Sequence, residues 1–259
     1  DDFPVDAALL TAGKRLKVIG RAGVGLAGIE VEAATVRGVI VMNAPDGNTI
    51  ATAELALGLM ISVARFIPAA HSSLAGGQWD RKNFTGTELR GKTLGVIGFG
   101  RVGRAIAKRA QAFDMRVIAY DPYVAADAAK ALGVDLVALD DLYGHADFIT
   151  LHAMLTDENR HMINAQSIAR MKKGVKIINA ARGPLINEAD LAEAVKSGQV
   201  GGAGIDVYAE EPPEAGNPLI GVKGIIHTPH LGASTVDALF RSEYKNVVNP
   251  DVLKKQKSS

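Results

Sequence analysis

The feature that most constrains the fold of this chain is a short apolar run followed at once by three spaced glycines. Residues 93–97 lead directly into Gly98, Gly100 and Gly103, and an amphipathic helical pattern follows. In a strand, G-x-G-x-x-G turn and helix of this kind, the first glycine permits the tight turn. The second lets the backbone approach a pyrophosphate, and the third lets the helix pack on the strand. The segment therefore predicts a βα unit that binds a phosphate-containing ligand at the helix N-terminus.

An acidic residue at the end of the next predicted strand supports a dinucleotide as that ligand. Asp121 follows Gly98 by 23 residues, where a carboxylate can accept hydrogen bonds from the adenosine ribose hydroxyls. Pro122 and Tyr123 come next, so no arginine is placed to receive a 2′-phosphate. The pattern predicts NAD as the cofactor in preference to NADP.

Short β-branched runs alternate with Ala-rich amphipathic segments along the chain, which predicts an α/β protein with a doubly wound parallel sheet. An early series has two predicted strands, 16–19 and 39–42, with a crossover helix within 29–37. A longer series has predicted strands at 93–97, 116–120, 135–137, 148–151, 175–178, 200–205 and 225–228, with helices such as 101–113 and 188–197.

Two lobes fit these series and the length of 259 residues. We expect residues 86–231 to form a Rossmann NAD-binding domain. Residues 1–85 are expected to form part of a smaller, flavodoxin-like substrate domain that is incomplete at its N-terminus, since two strands are too few for a doubly wound sheet. Residues 232–259 are expected to return to the substrate domain.

The composition narrows the class of protein further. With 29 basic and 28 acidic residues, no excess charge points to nucleic acid or to an anionic membrane. The absence of cysteine excludes disulfide scaffolds, thiolate zinc sites and cysteine nucleophiles, and we expect a cytoplasmic protein without a bound metal. The apolar stretch 55–64 is about half the length that a bilayer crossing needs.

Three residues at predicted strand ends can perform chemistry together. His230 follows the last strand, Arg182 follows the strand at 175–178, and Glu211 follows the strand at 200–205. Such a trio suits oxidation of a 2-hydroxy acid, with Arg182 gripping the carboxylate, His230 taking the hydroxyl proton and Glu211 holding the imidazole. From position alone, a capping or core role for His230 is an equal alternative. Glu210 is a rival for the place of Glu211, although the proline pair after Glu211 favours the latter.

Seven motifs along nearly the whole chain resemble the D-isomer-specific 2-hydroxyacid dehydrogenases. In chain order they are GRAGVG, VMNAPDGNT, WDRKNFTGTELRGKTLG, GFGRVG, NAARG, IDVYAEEP and HTPHLGAST. The resemblance implies that Arg182 binds the substrate carboxylate and that Glu211 and His230 form the catalytic pair. It implies substrate contacts from Arg21, Ala22 and Gly23, and further cofactor contacts from Arg101, Val102, Ala153, Ala180, Asp206 and Gly232.

The resemblance also implies an activity and an assembly. The expected reaction is oxidation of D-3-phosphoglycerate to 3-phosphohydroxypyruvate with NAD, the first step toward serine. Alternatives are the same chemistry on hydroxypyruvate or glyoxylate, and a dinucleotide-sensing corepressor with little turnover. Residues 48–76 are expected to hold a dimerisation arm, and the apolar stretch 55–64 with Phe66 and Ile67 predicts a homodimer or homotetramer.

Overall fold

The computed structural model describes residues 4–21, 25–26, 28–44, 46–240 and 246–252. The chain folds into two compact units. Thr52–Gly232 form the larger unit, and Asp1–Ala51 with Ala233–Ser259 form the smaller one. Residues 52–85, which the sequence analysis places with the substrate domain, therefore belong to the larger unit. The chain leaves the smaller unit about thirty residues earlier than the sequence indicates.

The described part of the smaller unit contains a three-stranded sheet in the order β1-β2-β10. Its elements are α1 Ala7–Ala12, β1 Val18–Arg21, α2 Val31–Val36, β2 Ile40–Asn43, α10 Val236–Phe240 and β10 Asn246–Val247. β1 pairs with β2 in parallel, as a crossover through α2 requires, and β10 pairs with β2 in the antiparallel sense. Asn249 fixes this junction, because its side chain accepts from Val41 N at 2.8 Å and donates to Val39 O at 2.9 Å.

The larger unit is built on a seven-stranded, all-parallel sheet in the order β5-β4-β3-β6-β7-β8-β9. The strands are β3 Thr93–Ile97, β4 Arg116–Tyr120, β5 Asp135–Leu136, β6 Phe148–Leu151, β7 Val175–Asn179, β8 Val200–Ile205 and β9 Ile225–His227. The predicted doubly wound sheet is confirmed. Its order reverses at β3, so a crevice is expected at the carboxyl ends of β3 and β6.

Helices cover both faces of this sheet. They are α3 Thr49–Arg65, α4 Ile67–Ala75, α5 Arg101–Gln111, α6 Ala126–Lys130, α7 Leu139–His145, α8 Ala165–Ala169 and α9 Glu188–Lys196, with 3-10 turns at Arg81–Phe84 and Gly183–Leu185. Side chains alternate between two buried apolar clusters, as strand geometry requires. In β3, for example, Leu94 and Val96 join one cluster and Ile97 joins the other.

The packing of α3 corrects one expectation from the sequence. Leu59 and Val63 of α3 are buried. They pack against two glycines of β8, in the space that larger side chains at those positions would fill. A Cβ added at Gly204 would lie 2.9 Å from Leu59 Cβ, and one at Gly202 would lie 2.8 Å from Val63 Cγ1. Much of the apolar surface of 55–64 is therefore buried within this chain, so that stretch is not evidence for a partner subunit.

No single helix in the described ranges is long and apolar enough to cross a membrane. By length and composition, α3 and α4 together pass the same test, but they are bent by 63° relative to each other.

Candidate active site

The structure brings Glu211 and His230 into direct contact at the carboxyl edge of the larger sheet. The Nδ1 atom of His230 lies 2.6 Å from Oε2 of Glu211, and both side chains are partly exposed. A carboxylate can only accept, so Nδ1 carries the hydrogen and donates it. In the neutral ring this leaves Nε2 as the acceptor, which is the state that a general base needs.

The backbone of His230 is held in an unusual conformation by the end of β8. His230 has φ of +53°, a region that L residues rarely occupy. Its N–H donates to Asp206 O at 2.8 Å, and the Asp206 carboxylate accepts from Leu231 N at 2.7 Å and Gly232 N at 2.9 Å. Thr228 Oγ1 donates to the same carboxylate at 2.6 Å. One buried aspartate therefore fixes the turn that presents the imidazole.

Sequence reasoning missed this role of Asp206 and the part of Thr228. The side chain of Asp206 is fully buried, and both of its oxygens accept hydrogen bonds from within the unit. Its expected contact with the cofactor stays a prediction. The signal that could have shown the anchoring role is an acidic residue at the end of a buried strand, since a buried carboxylate needs several donors.

Glu211 is positioned by the loop that follows β8. Its Oε1 atom accepts from Tyr208 N at 3.0 Å, which leaves Oε2 for His230. The loop is tied to α9 as well, because Glu188 accepts from Ala209 N at 2.9 Å. Glu210, the rival from the sequence, is exposed. The geometry favours Glu211 as the partner of the histidine.

Arg182 lies one strand away, after the end of β7. Its side chain is exposed, and its Nη1 donates to Ala181 O at 2.6 Å. The next residue packs tightly on the loop that carries Glu211, since a Cβ on Gly183 would lie 1.9 Å from Tyr208 C. The three predicted catalytic residues thus follow three neighbouring strands. Among the described contacts only Glu211 and His230 bond directly.

The glycine loop has the geometry of a dinucleotide cradle. Gly98 has φ of +90°, and a Cβ there would lie 2.5 Å from Ala153 N. A Cβ on Gly103 would lie 2.1 Å from Gly98 O, so the close packing of α5 on the turn requires glycine. By contrast, a Cβ on Gly100 would meet nothing within 4 Å. The loop therefore has an open face beside Gly100, at the N-terminus of the eleven-residue α5, where a pyrophosphate fits.

Asp121 is oriented beside this loop by two backbone donors. Oδ2 accepts from Phe99 N at 2.8 Å, and Oδ1 accepts from Tyr123 N at 2.9 Å. Each carboxylate oxygen retains a second acceptor site, so ribose hydroxyls can still bond to it. The residues present therefore fit NAD.

The other residues predicted to contact the cofactor or the substrate differ in their exposure to solvent. Arg101 is exposed and Val102 and Ala153 are half-buried, whereas Ala180 and Gly232 are buried. Arg21 ends β1 in the smaller unit, and Ala22 and Gly23 lie outside the described residues. The roles of all of these residues stay predictions.

His152 follows β6 next to the glycine loop. Burial lowers the pKa of His152 to about 4, so the ring is neutral at neutral pH. Its Nε2 lies 2.9 Å from Thr150 Oγ1, and its backbone N–H donates to Ile97 O at 2.7 Å. Because a Cβ on Gly98 would lie 2.6 Å from His152 C, this segment forms the wall against which the loop turns.

Comparisons with known proteins agree with this geometry. The model of the D-isomer specific 2-hydroxyacid dehydrogenase NAD binding domain matches residues 57–232. D-3-phosphoglycerate dehydrogenase of Methanocaldococcus jannaschii is 53% identical over 231 residues, which cover 89% of this chain and 44% of that protein. The chain thus spans less than half the length of this curated relative.

Solved structures give the same result. The apo-structure of D-lactate dehydrogenase from Escherichia coli has a TM-score of 0.84 at 33% identity, over 99% of this chain and 81% of that one. A glyoxylate reductase from Paecilomyes thermophila has a TM-score of 0.81 at 34% identity, over 98% of this chain and 76% of that one. The chain belongs to the D-isomer-specific 2-hydroxyacid dehydrogenases and contains their NAD-binding domain.

Proposed function

We propose that this protein oxidises a D-2-hydroxy acid with NAD and that His230 is the general base. The observation that carries the proposal is the 2.6 Å hydrogen bond from His230 Nδ1 to Glu211 at the carboxyl edge of the sheet. With Nδ1 donating, Nε2 takes the proton of the substrate hydroxyl as the C2 carbonyl forms. NAD, when bound, accepts the hydride that leaves C2.

Other residues of the site bind and orient the substrate and the cofactor. Arg182 donates two hydrogen bonds to the substrate carboxylate, which fixes C2 in front of the base. The glycine loop and Asp121 hold the pyrophosphate and the ribose. Further cofactor contacts are proposed for Arg101, Val102, Ala153, Ala180, Asp206 and Gly232. Substrate contacts are proposed for Arg21, Ala22 and Gly23.

For the substrate we propose D-3-phosphoglycerate, with 3-phosphohydroxypyruvate as product in the first step toward serine. The support is a relative at 53% identity that is named D-3-phosphoglycerate dehydrogenase. The glyoxylate reductase at 34% identity supports the second candidate, the same chemistry on glyoxylate or hydroxypyruvate. The presence of Arg182, Glu211 and His230 together argues against a dinucleotide-sensing corepressor, because such a protein needs no proton transfer.

The test is a steady-state assay that follows the reduced cofactor with D-3-phosphoglycerate, D-glycerate and glycolate. Glu211→Gln should lower kcat/KM by about a hundredfold, since it removes the charge that stabilises the imidazolium. The matched control Glu210→Gln changes an exposed carboxylate next to it and should retain the wild-type rate. Equal losses in the two variants would contradict the pair. Faster turnover of D-glycerate would favour the second substrate class, and NAD binding without any turnover would favour the corepressor.

We also propose that the protein assembles as a homodimer or homotetramer. α4 has no buried residue, and it exposes Ile67 and Leu74, while Trp79 beyond it is 77% exposed. An apolar surface of this kind favours a partner. Sedimentation at micromolar concentration should show an oligomer that Trp79→Ala weakens, and a single monomeric species would refute the assembly.

The domain roles and the location complete the proposal. The larger unit, which contains residues 86–231, would bind the cofactor, while the smaller unit, residues 1–51 and 233–259, would contribute to substrate binding. A cytoplasmic location remains part of the proposal, and cell fractionation with an NAD-dependent activity assay would test it.

A further inference from the structure

A cavity at the opposite edge of the larger sheet is not used by the proposed reaction. Its volume is about 130 Å³, and it lies beside the first residues of β6 and β7, where Asp147, Phe148 and Val175 line it. The strands are parallel, so this amino edge is opposite the edge that carries the residues following β7, β8 and β9. The cavity is therefore separate from the candidate active site.

Four lysines dominate the lining of this cavity. The full lining is Thr87, Lys92, Asp147, Phe148, Lys172, Lys173, Gly174, Val175 and Lys176. Asp147 is the only carboxylate among these residues, all of which are described. The lining thus combines four cationic side chains with one anionic side chain.

The single carboxylate is already engaged on both oxygens. Asp147 Oδ1 accepts from Lys172 Nζ at 3.0 Å, and Oδ2 accepts from Thr93 N at 2.8 Å. Burial raises the pKa of Asp147, but these two donors and the charges of Lys172 and Lys92 outweigh it and hold the pKa below its usual value. Asp147 is therefore ionised at neutral pH, and one negative charge balances one of the four lysines.

The remaining positive charge is partly withdrawn from water. Lys92 and Lys176 are half-buried, and Lys176 Nζ lies 5.3 Å from the centroid of the Phe148 ring. Burial, and then the positive charge of Lys92, lower the pKa of Lys176, whereas Asp147 opposes this shift. Two ammonium groups that repel each other in a partly desolvated cavity are stabilised by an anion between them.

The size of the cavity suits a small anion. A volume of about 130 Å³ holds several water molecules. That space accommodates a tetrahedral oxyanion. Lysine ammonium groups bind phosphate as point charges, and Thr87 at the same cavity carries a hydroxyl that can donate.

We propose that Lys92, Lys173 and Lys176 form a binding site for a phosphate-type oxyanion at the amino edge of the NAD-binding sheet, distinct from the cofactor and substrate sites. Lys172 remains the partner of Asp147. The ligand is inorganic phosphate or the phosphoryl group of a small metabolite.

The test is calorimetric titration of inorganic phosphate into the full chain at constant ionic strength. The titration uses protein saturated with NAD and carrying Arg182→Ala, so that the cofactor and substrate sites do not take up phosphate. In this background Lys92→Met and Lys176→Met should each weaken phosphate binding at least about tenfold, which corresponds to the loss of one charge-assisted contact. Lys130→Met, at an exposed lysine of α6, is the control and should bind phosphate as the background protein does.

The test also includes a variant that is expected to strengthen phosphate binding, and a second ligand. Asp147→Asn removes the only negative charge of the cavity and should tighten phosphate binding several-fold. Glycerol 2-phosphate distinguishes the two sources, because binding equal to that of phosphate identifies a phosphoryl group of a metabolite and absence of binding identifies free phosphate. If no heat is detected in the background protein, or if all the lysine variants bind as the Lys130→Met control does, the cluster is a solvated surface and the proposal is overturned.

Discussion

Alanine substitutions at two glycines of the same loop should separate folding from cofactor binding. At Gly98 the backbone has φ of +90°, and a new methyl group would lie 2.5 Å from Ala153 N and 2.6 Å from His152 C. Both neighbours are backbone atoms that cannot rotate away. The positive φ costs about 1–2 kcal/mol for an L side chain, and the overpacking costs about 1–3 kcal/mol. We therefore expect Gly98→Ala to destabilise the protein by about 2–5 kcal/mol.

Gly100 should behave in the opposite way. Its φ is −75°, and a methyl group there meets no protein atom within 4 Å. The free energy of unfolding should therefore change by less than about 1 kcal/mol. The methyl group would occupy the open face where the pyrophosphate approaches, so the affinity for NAD should fall at least about tenfold, or 1.4 kcal/mol.

Thermal melts without cofactor and calorimetric titration with NAD measure the two effects independently. For a chain of this size, 2–5 kcal/mol corresponds to a fall in Tm of roughly 5–20 °C. Gly144→Ala is a matched control, because Gly144 is an exposed residue of α7 with no atom within 4 Å of its added Cβ. It should leave NAD affinity unchanged and should not lower the Tm. A Gly98→Ala protein that melts within about 2 °C of wild type would show that the turn tolerates a Cβ, and a Gly100→Ala protein with normal NAD affinity would show that the pyrophosphate does not approach this glycine.

Arg182→Ala should abolish turnover in a steady-state assay while NAD affinity stays within about twofold by calorimetry, since the guanidinium serves the substrate; near-normal turnover would point to a surface role. Thr228→Val removes a donor to the buried Asp206 carboxylate. It should lower the free energy of unfolding by about 1.5–3 kcal/mol in urea titrations. An unchanged urea midpoint would show that this hydrogen bond does not stabilise the turn. The pKa of His152 is about 4 in the folded protein against 6.5 for the free side chain, so the unfolded chain binds the proton more readily and stability should fall as the pH falls through this window. His152→Asn should reduce that slope in urea titrations run at several pH values, and a slope equal to that of the wild type would show that His152 is hydrated.

Much of the larger sheet could be predicted from the sequence, because its strands are buried on both faces. β6 and β8 begin and end where their apolar runs begin and end. The bounds of the edge strand of the smaller sheet were harder to predict, because β1 begins two residues later than its apolar run. Leu16 packs in the apolar cluster outside the strand, whereas Gly20 and Arg21 pair with Met42 and Asn43. Backbone groups make these hydrogen bonds regardless of side-chain polarity.

The element against which an apolar segment packs could not be predicted from the segment itself. Residues 55–64 indicate that an apolar surface must be buried, but they do not indicate which element buries it. The missing information lies in β8, where Gly202 and Gly204 leave room for Val63 and Leu59. Glycines in the interior of a predicted strand signal the close approach of another element.

The two residues of the catalytic pair could be predicted from their positions at strand ends. The hydrogen bonds that hold the pair in place could not be predicted. Position placed His230 and Glu211 at one edge of the sheet, because the carboxyl ends of parallel strands meet there. The donors that fix them depend on loop conformation. Asp206 and Thr228 approach through a turn in which His230 has positive φ, and no periodic pattern encodes such a turn.

The contact between the two ends of the larger unit affects the order in which the chain can fold. Thr52 Oγ1 donates to Gly232 O at 3.1 Å, so this unit begins and ends at one point. The smaller sheet needs β10 beside β2, and its Val41–Asn249 bond joins residues 208 positions apart. Once the larger unit has folded, the loop that remains to be closed shrinks to roughly thirty residues, which lowers the entropic cost by about 2 kcal/mol. We therefore expect the smaller sheet to close after the NAD-binding unit has folded, on a connection that this unit has already shortened.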